Sequence, residues 1–143
     1  MKTIHTLRFG DIEADEDMFL RFRDGIPAFE EETEFLLVPY DDTPYVFLQS
    51  AKTPELAFLA VSPFTFFADY EISIDDETLE ELDIQSEEEV AIYSLITMPE
   101  GKVETMTANL LAPVIVNNRS LRAKQLVLVD SKYTTKHRLF PEA

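Results

Sequence analysis

An all-β fold with one short helix is predicted by three features of the sequence. Apolar runs are only four or five residues long, prolines punctuate them, and a single segment carries helix-start signals. Together they describe a compact, mostly antiparallel sandwich or barrel-like closed sheet, folded as one domain over residues 1–143 with its helix near residues 76–82.

The elements follow in order. Thr3 to Phe9 reads as a strand with His5, Leu7 and Phe9 on its apolar face, which makes His5 a core or edge histidine. Met18, Leu20 and Phe22 alternate with Phe19, Arg21 and Arg23 in a second strand that ends at Asp24-Gly25. Three further strands run over Phe35 to Val38, Tyr45 to Leu48 and Ala57 to Val61. Pro39, Pro44, Pro54 and Pro63 bound them, because a residue without an N–H cannot sit inside a central ladder. Asp75 to Leu82 combines an Asx cap, acidic first-turn residues and Leu79 with Leu82 one helical turn apart. Ser86 to Glu89 has room for one turn of helix. Strands are then expected at Val90 to Met98, Val103 to Thr107, Val114 to Val116 and Lys124 to Val129. Pro99-Glu100-Gly101-Lys102 serves as a hairpin turn between the first two.

Charge is distributed unevenly. The chain carries 12 Lys and Arg against 28 Asp and Glu, a net −16, which repels phosphate backbones and anionic lipid. Direct binding of nucleic acid or membrane is therefore not expected, and self-repulsion favours a monomer. Residues 1–100 hold 5 basic and 25 acidic side chains, net −20, whereas residues 101–143 hold 7 and 3, net +4. No Lys or Arg occurs between Lys52 and Lys102. One surface must be strongly negative, either a solvated face or a docking surface for a basic partner. The N-terminal residues lack the apolar run of a signal peptide and cysteine is absent, which together suggest a reducing, cytoplasmic setting.

Parts needed for chemistry are missing. Gly10, Gly25 and Gly101 are too far apart for a phosphate-binding loop, a dinucleotide fingerprint or a nucleophile elbow. His5 and His137 lie at opposite ends of the chain without metal-ligand spacing, and Ser50, Ser62 and Ser94 lack a neighbouring base. The acidic run has no glycine at the turn position of a calcium loop. No enzyme activity, cofactor or metal is expected.

Aromatic residues are the salient positive feature, with 11 Phe and 5 Tyr. Phe64, Phe66, Phe67 and Tyr70 crowd together just before the acidic run, and strict alternation cannot bury all four on one side of a sheet. Either the segment is a corner that buries both faces, or it is an aromatic anchor for a protein partner, rimmed by carboxylates.

Several motifs resemble one known family. Gly25-Ile26-Pro27-x-Phe29, Leu48-Gln49-Ser50, Glu55-Leu56-Ala57-Phe58, Pro63-Phe64 with Asp69-Tyr70, and Ala108-Asn109-Leu110-Leu111-Ala112-Pro113 with Val116-Asn117 occur in the order and spacing of the flagellar assembly factor FliW. The resemblance spans roughly residues 5–138. Ala28 departs from it, standing where the family usually has a second glycine, and the Asn118-Arg119-Ser120 turn is not the commonest form. Because Ala tolerates a positive φ poorly, the Ala28 turn is the place where the geometry is in question.

The resemblance implies a non-enzymatic, chaperone-like protein of mostly antiparallel β structure that binds two alternative partners. These are flagellin and the RNA-binding translational repressor CsrA, whose repression of flagellin synthesis is relieved when the released factor captures it. On that basis Asp69, Glu71, Asp75 and Asp76 are expected to steer and contact the repressor, with Phe64, Phe66, Phe67 and Tyr70 as anchors. Asn109, Leu110 and Leu111, and the basic Lys136, His137 and Arg138, are expected as additional partner contacts. The alternatives are a small-molecule-binding β barrel, a hydrolase of unrecognised type, or a generic acidic mimic of nucleic acid. A ligand thermal-shift panel separates the first of these from an interaction protein.

Overall fold

The computed structural model describes residues 1–98, 101–129 and 131–141. Its strands are β1 (Lys2–Thr6), β2 (Gly10–Ala14), β3 (Leu20–Phe22), β4 (Glu34–Pro39), β5 (Tyr45–Ser50), β6 (Ala57–Val61), β7 (Val90–Thr97), β8 (Thr107–Ala108), β9 (Val114–Asn117), β10 (Arg122–Gln125) and β11 (His137–Arg138). The helix is α1 (Asp76–Glu81), within the predicted span. In the sheet β7-β6-β5-β4-β3-β10-β9, a further antiparallel pairing of β7 with β9 joins the two ends, so seven strands close into a barrel. Closure leaves those seven without a free edge. Every neighbouring pair is antiparallel except β3 with β10.

Side-chain parity determines what fills the barrel. Residues paired across strands share a face, so the chain of partners Ala123↔Phe22, Leu20↔Phe35, Leu37↔Leu48, Leu48↔Phe58, Tyr93↔Val114 and Ala91↔Val116 places all of these side chains inside. Leu20, Phe22, Phe35, Leu48, Val114 and Val116 are at most 2% exposed. Phe22 and Phe35 meet edge to face with ring centroids 5.4 Å apart.

The outer face is covered in three places. The β1–β2 hairpin lays Ile4, Ile12 and Ala14 over Leu36 and Val38 of β4. The aromatic segment and the C-terminal stretch cover Leu59 and Ile96, and α1 lies against β10. These covers explain why many strands read as continuous apolar runs rather than alternating ones.

Several predicted details change. Ile4 and Thr6, not His5, Leu7 and Phe9, form the buried face of β1, because the strand ends at Thr6. The Thr6 hydroxyl donates to the Gly10 carbonyl (2.7 Å) and accepts from the Phe9 N–H (2.8 Å), which turns the chain into the unpredicted β2. His5 is thus an exposed histidine, 2.7 Å from Asp11 Oδ1. Val103–Thr105 is a 3₁₀ turn, not a strand, and β8 is only two residues long. Beyond β10 the alternation of Leu126 and Leu128 against Val127 and Val129 persists. There the chain keeps the register of β10 with β9 in one direction only, the Leu126 N–H on Pro113 O and the Leu128 N–H on Leu111 O, because Pro113 has no N–H and the Leu111 N–H goes to Thr134 O. The expected hairpin turn includes Pro99 and Glu100, which lie outside the described residues.

Polar motif residues act as latches. Gln49, fully buried, turns its Nε2 toward the carbonyls of Ser50 (3.1 Å) and Leu56 (3.1 Å), holding the β5–β6 connection. The Ser50 hydroxyl donates to the buried Glu32 carboxylate, which also accepts from the Thr53 hydroxyl at 2.6 Å. Asn117 Nδ2 donates to the carbonyls of Leu82 (2.8 Å) and Asp83 (3.0 Å), and its Oδ1 accepts from the Arg119 and Ser120 N–H groups. One buried side chain thereby fastens the end of α1 to the β9–β10 turn.

Candidate partner-binding groove

After β6, Pro63 opens a single 3₁₀ turn, where its missing N–H costs nothing and its fixed φ suits the bend. The turn distributes the aromatic residues in different directions. Phe64 is 46% exposed and Tyr70 only 3%. Phe66 and Phe67 are half-buried against a core that contains Met106, Leu110 and Leu139. The Tyr70 hydroxyl donates to Leu110 O at 2.8 Å, and its ring meets that of Tyr133 at 4.7 Å. Burial, with the nearby Tyr133 adding to it, pushes the Tyr70 phenol well above its ordinary value.

From Glu71 to Asp75 the chain runs extended outside every ladder, with Ile72 and Ile74 half-buried and Glu71, Ser73 and Asp75 exposed. On one side of it lies a groove of about 990 Å³. Ile72, Ile74, Leu79, Ile84 and Ile92 form its apolar surface, with Phe64, Glu71 and Glu87 also in its lining. The helix contributes because Asp75 takes the extended N-cap conformation, which turns Leu79 toward the groove. Asp75 and Asp76 are exposed at the start of α1, Asp75 in the lining of a separate depression with Leu126 and Tyr133.

Carboxylates near the groove are stabilised as anions. The Thr78 hydroxyl holds Asp75 below the ordinary carboxylate value. Asp83 is lowered chiefly by its hydrogen bond from Arg119, and Glu89 by the Gln85 N–H and then Arg119. Arg119 grips both, with Nε 2.7 Å from Glu89 and Nη2 3.0 Å from Asp83, and its own pKa rises in response, from Glu89 first. An apolar groove with Glu71 and Glu87 in its lining suits an apolar segment flanked by basic side chains.

Of the predicted contact residues, the structure gathers Phe64 and Glu71 at this groove, puts Asp75 in the depression on the other side of the same segment, and leaves Asp76 exposed on α1 and Asp69 exposed at the preceding turn. Tyr70 and Leu110 are interior, so they support the surface and do not form it. Phe66 and Phe67 pack half-buried against the cluster of Met106, Leu110 and Leu139, whereas Phe64 stays exposed. Asn109 caps its own loop, its Oδ1 accepting from the Ala112 N–H at 2.9 Å, and Leu111 is half-buried. Lys136 and Arg138 are exposed, whereas His137 lies edge-on to Phe67 and Tyr133, its Nε2 accepting from the Thr134 N–H. The C-terminal stretch is part of the fold, since β11 pairs with β8 and Leu139 is buried.

The apolar residues Ile72, Ile74, Ile84 and Ile92 escaped sequence reasoning, although Ile72-x-Ile74 beside the acidic run is a visible alternation. Among the described residues no cluster of three His, Asp or Glu side chains could hold a metal ion. Ser50 is fully buried in its bond to Glu32, which makes it a latch without a route to a substrate.

Comparison with known proteins places this architecture. The FliW protein family model matches residues 3–139. The flagellar assembly factor FliW of Geobacillus kaustophilus (strain HTA426) is 48% identical over 139 residues, covering 97% of this chain and 96% of that protein. The one from Bacillus subtilis (strain 168) is 47% identical over 135 residues, covering 94% of each. A crystal structure of the flagellar assembly factor FliW superposes with a TM-score of 0.91 at 45% identity and covers 99% of both chains. With the family model, the curated relatives and the solved fold all matching over nearly the whole chain, this chain belongs to the FliW family of flagellar assembly factors.

Proposed function

We propose that this protein works as a non-enzymatic, cytoplasmic assembly factor that binds flagellin and, when released from it, captures the CsrA-type translational repressor and relieves repression of flagellin synthesis. The observation that carries the assignment of the repressor surface is the groove itself, an apolar channel with the carboxylates of Glu71 and Glu87 in its lining. A repressor that grips RNA needs a basic surface to do so. The segment with net −20 supplies long-range attraction toward such a surface and sets a negative field beside the RNA path. Phe64, Glu71, Asp75 and Asp76 are the contact residues, with Phe64 as the exposed aromatic anchor.

Isothermal titration against the repressor and the flagellin of the same organism, each alone and then in competition, tests this reading. Binding to both, with flagellin blocking capture of the repressor, is the expected result. Failure of two folded partners to bind would overturn it.

A further inference from the structure

A second surface has the opposite character. Arg21, Arg23, Arg122 and Lys124 line one cleft of about 770 Å³ on the outer face of β3 and β10. They hold four of the chain's 12 Lys and Arg, on a protein of net charge −16. The parallel register sets Arg122 opposite Arg21, Lys124 follows two residues on along β10, and Arg23 stands in the turn just beyond β3. The four cations thus gather at one end of the β3–β10 pair, with Arg21 and Arg122 side by side across the strands and Arg122 and Lys124 about 7 Å apart along β10. Like charges directly opposite each other destabilise a strand pair, so such an array calls for an anion.

The fold supplies carboxylates of its own: Glu81 between two of the cations, Asp24 with Oδ2 3.4 Å from Arg23 Nη2, and Glu30 in the lining. Glu81, the last residue of α1, has a side chain only 12% exposed; its Oε1 lies 2.5 Å from Arg23 Nη2 and its Oε2 lies 3.0 Å from Lys124 Nζ. Its backbone carbonyl accepts from Arg122 Nη1 at 3.3 Å. A carboxylate at a helix C-terminus opposes the helix dipole, so the cations, not the helix, hold Glu81 in place. Arg21 is left over. Its cross-strand neighbour Glu34 is engaged by Lys2 at 2.9 Å, and among the described residues the Arg21 guanidinium has no hydrogen bond or ion pair.

We propose that this cleft docks an extended, carboxylate-rich segment of a protein partner. Its alternate Asp or Glu side chains pair with Arg21 and Arg122 and compete with Glu81 for Arg23 and Lys124. Spacing selects the occupant, because every second side chain of an extended peptide recurs at about 7 Å on one face, the same repeat as Arg122 to Lys124 on β10. Duplex nucleic acid carries a charge about every 1.7 Å, which would crowd Asp24 and Glu30 in the same cleft and meet the field of the whole molecule. This surface is separate from the apolar groove and does not depend on what that groove binds.

Fluorescence anisotropy at low salt with a fluorescein-labelled peptide of alternating Glu and Thr tests the proposal. Saturable binding is expected, with no competition from the matching Lys-Thr peptide. Glu81→Gln removes the internal competitor and should tighten binding about tenfold, while Arg21→Gln should weaken it about tenfold. Arg21 has no partner to lose in the fold, so its variant remains informative if Glu81→Gln is unstable. Absence of binding to the wild type, or an unchanged affinity in Arg21→Gln, would overturn the proposal. Tighter binding of a thymidine oligonucleotide of equal charge would overturn the peptide assignment.

Discussion

The barrel's buried latches and the groove are built on opposite principles. At the latches, Asn117, Gln49 and Ser50 are fully buried polar side chains whose hydrogen bonds fasten loops to strands. At the groove, Glu71 to Asp75 runs outside every ladder, and its exposed side chains offer charge and apolar surface to whatever approaches. The motifs that carry the family resemblance lie largely at these latches and in turns, so they identify the scaffold. Asp69-Tyr70 and the Asn109-Leu110-Leu111 stretch belong to it too, through the Tyr70 hydroxyl on Leu110 O. A family signature can thus report how a protein folds without marking its contact surface.

The contrast can be broken most sharply at Asn117. Asn117→Ala removes two donated bonds and leaves the Leu82 and Asp83 carbonyls and two N–H groups to find other partners, and denaturant titration should show a loss of about 3 kcal/mol. Gly25→Ala comes next, because Gly25 has φ +70° and an added Cβ would sit 2.4 Å from the Glu30 carbonyl oxygen. A loss of about 2 kcal/mol is expected by the same measurement.

Ala28 acts in the other direction. It occupies the third position of the Ile26 to Phe29 turn at φ 74°, after Pro27, with the Phe29 N–H on Ile26 O at 2.6 Å. That position of a type II turn favours glycine, so Ala28→Gly should gain about 1 kcal/mol. Thermal melts showing no gain would mean that the turn holds Ala28 without strain.

The Arg119 clamp links the two regions and is sensitive to acid. Asp83 and Glu89 have folded pKa values below their unfolded ones, so their stabilisation is complete above the ordinary carboxylate range, about pH 4, and is lost as pH falls through the folded values. Melting temperature should therefore drop on acidification, and drop less in Arg119→Gln. Parallel melting curves for the two proteins from neutral pH to about pH 3 would contradict this role.

The smallest effect on folding is expected at the groove. Glu71→Lys with Asp75→Lys should change stability by no more than about 0.5 kcal/mol yet slow association with the basic repressor and flatten its salt dependence. Stopped-flow rates unchanged at low salt would remove these residues from the binding surface.

Short apolar runs, prolines at strand ends and a single Asx-capped segment sufficed to anticipate a mostly β fold and α1, because strand length, turn chemistry and capping are local properties. Locality also explains the misses. The face of β1 is set by where Thr6 and Gly10 turn the chain, and β11 exists only because a distant two-residue strand accepts it. Charge count gave a negative surface, whereas the groove needed Ile72, Ile84 and Ile92 brought together from separate elements.

By itself, the sequence determined composition, charge asymmetry, element type and family motifs, all of which depend on neighbours within a few residues. Only the tertiary structure decided that β7 and β9 close the barrel, that Tyr70 and Leu110 point inward, and that four cations meet on β3 and β10. Pairing partners about a hundred residues apart in sequence are selected by the packing of one shared interior, and no local pattern encodes that choice.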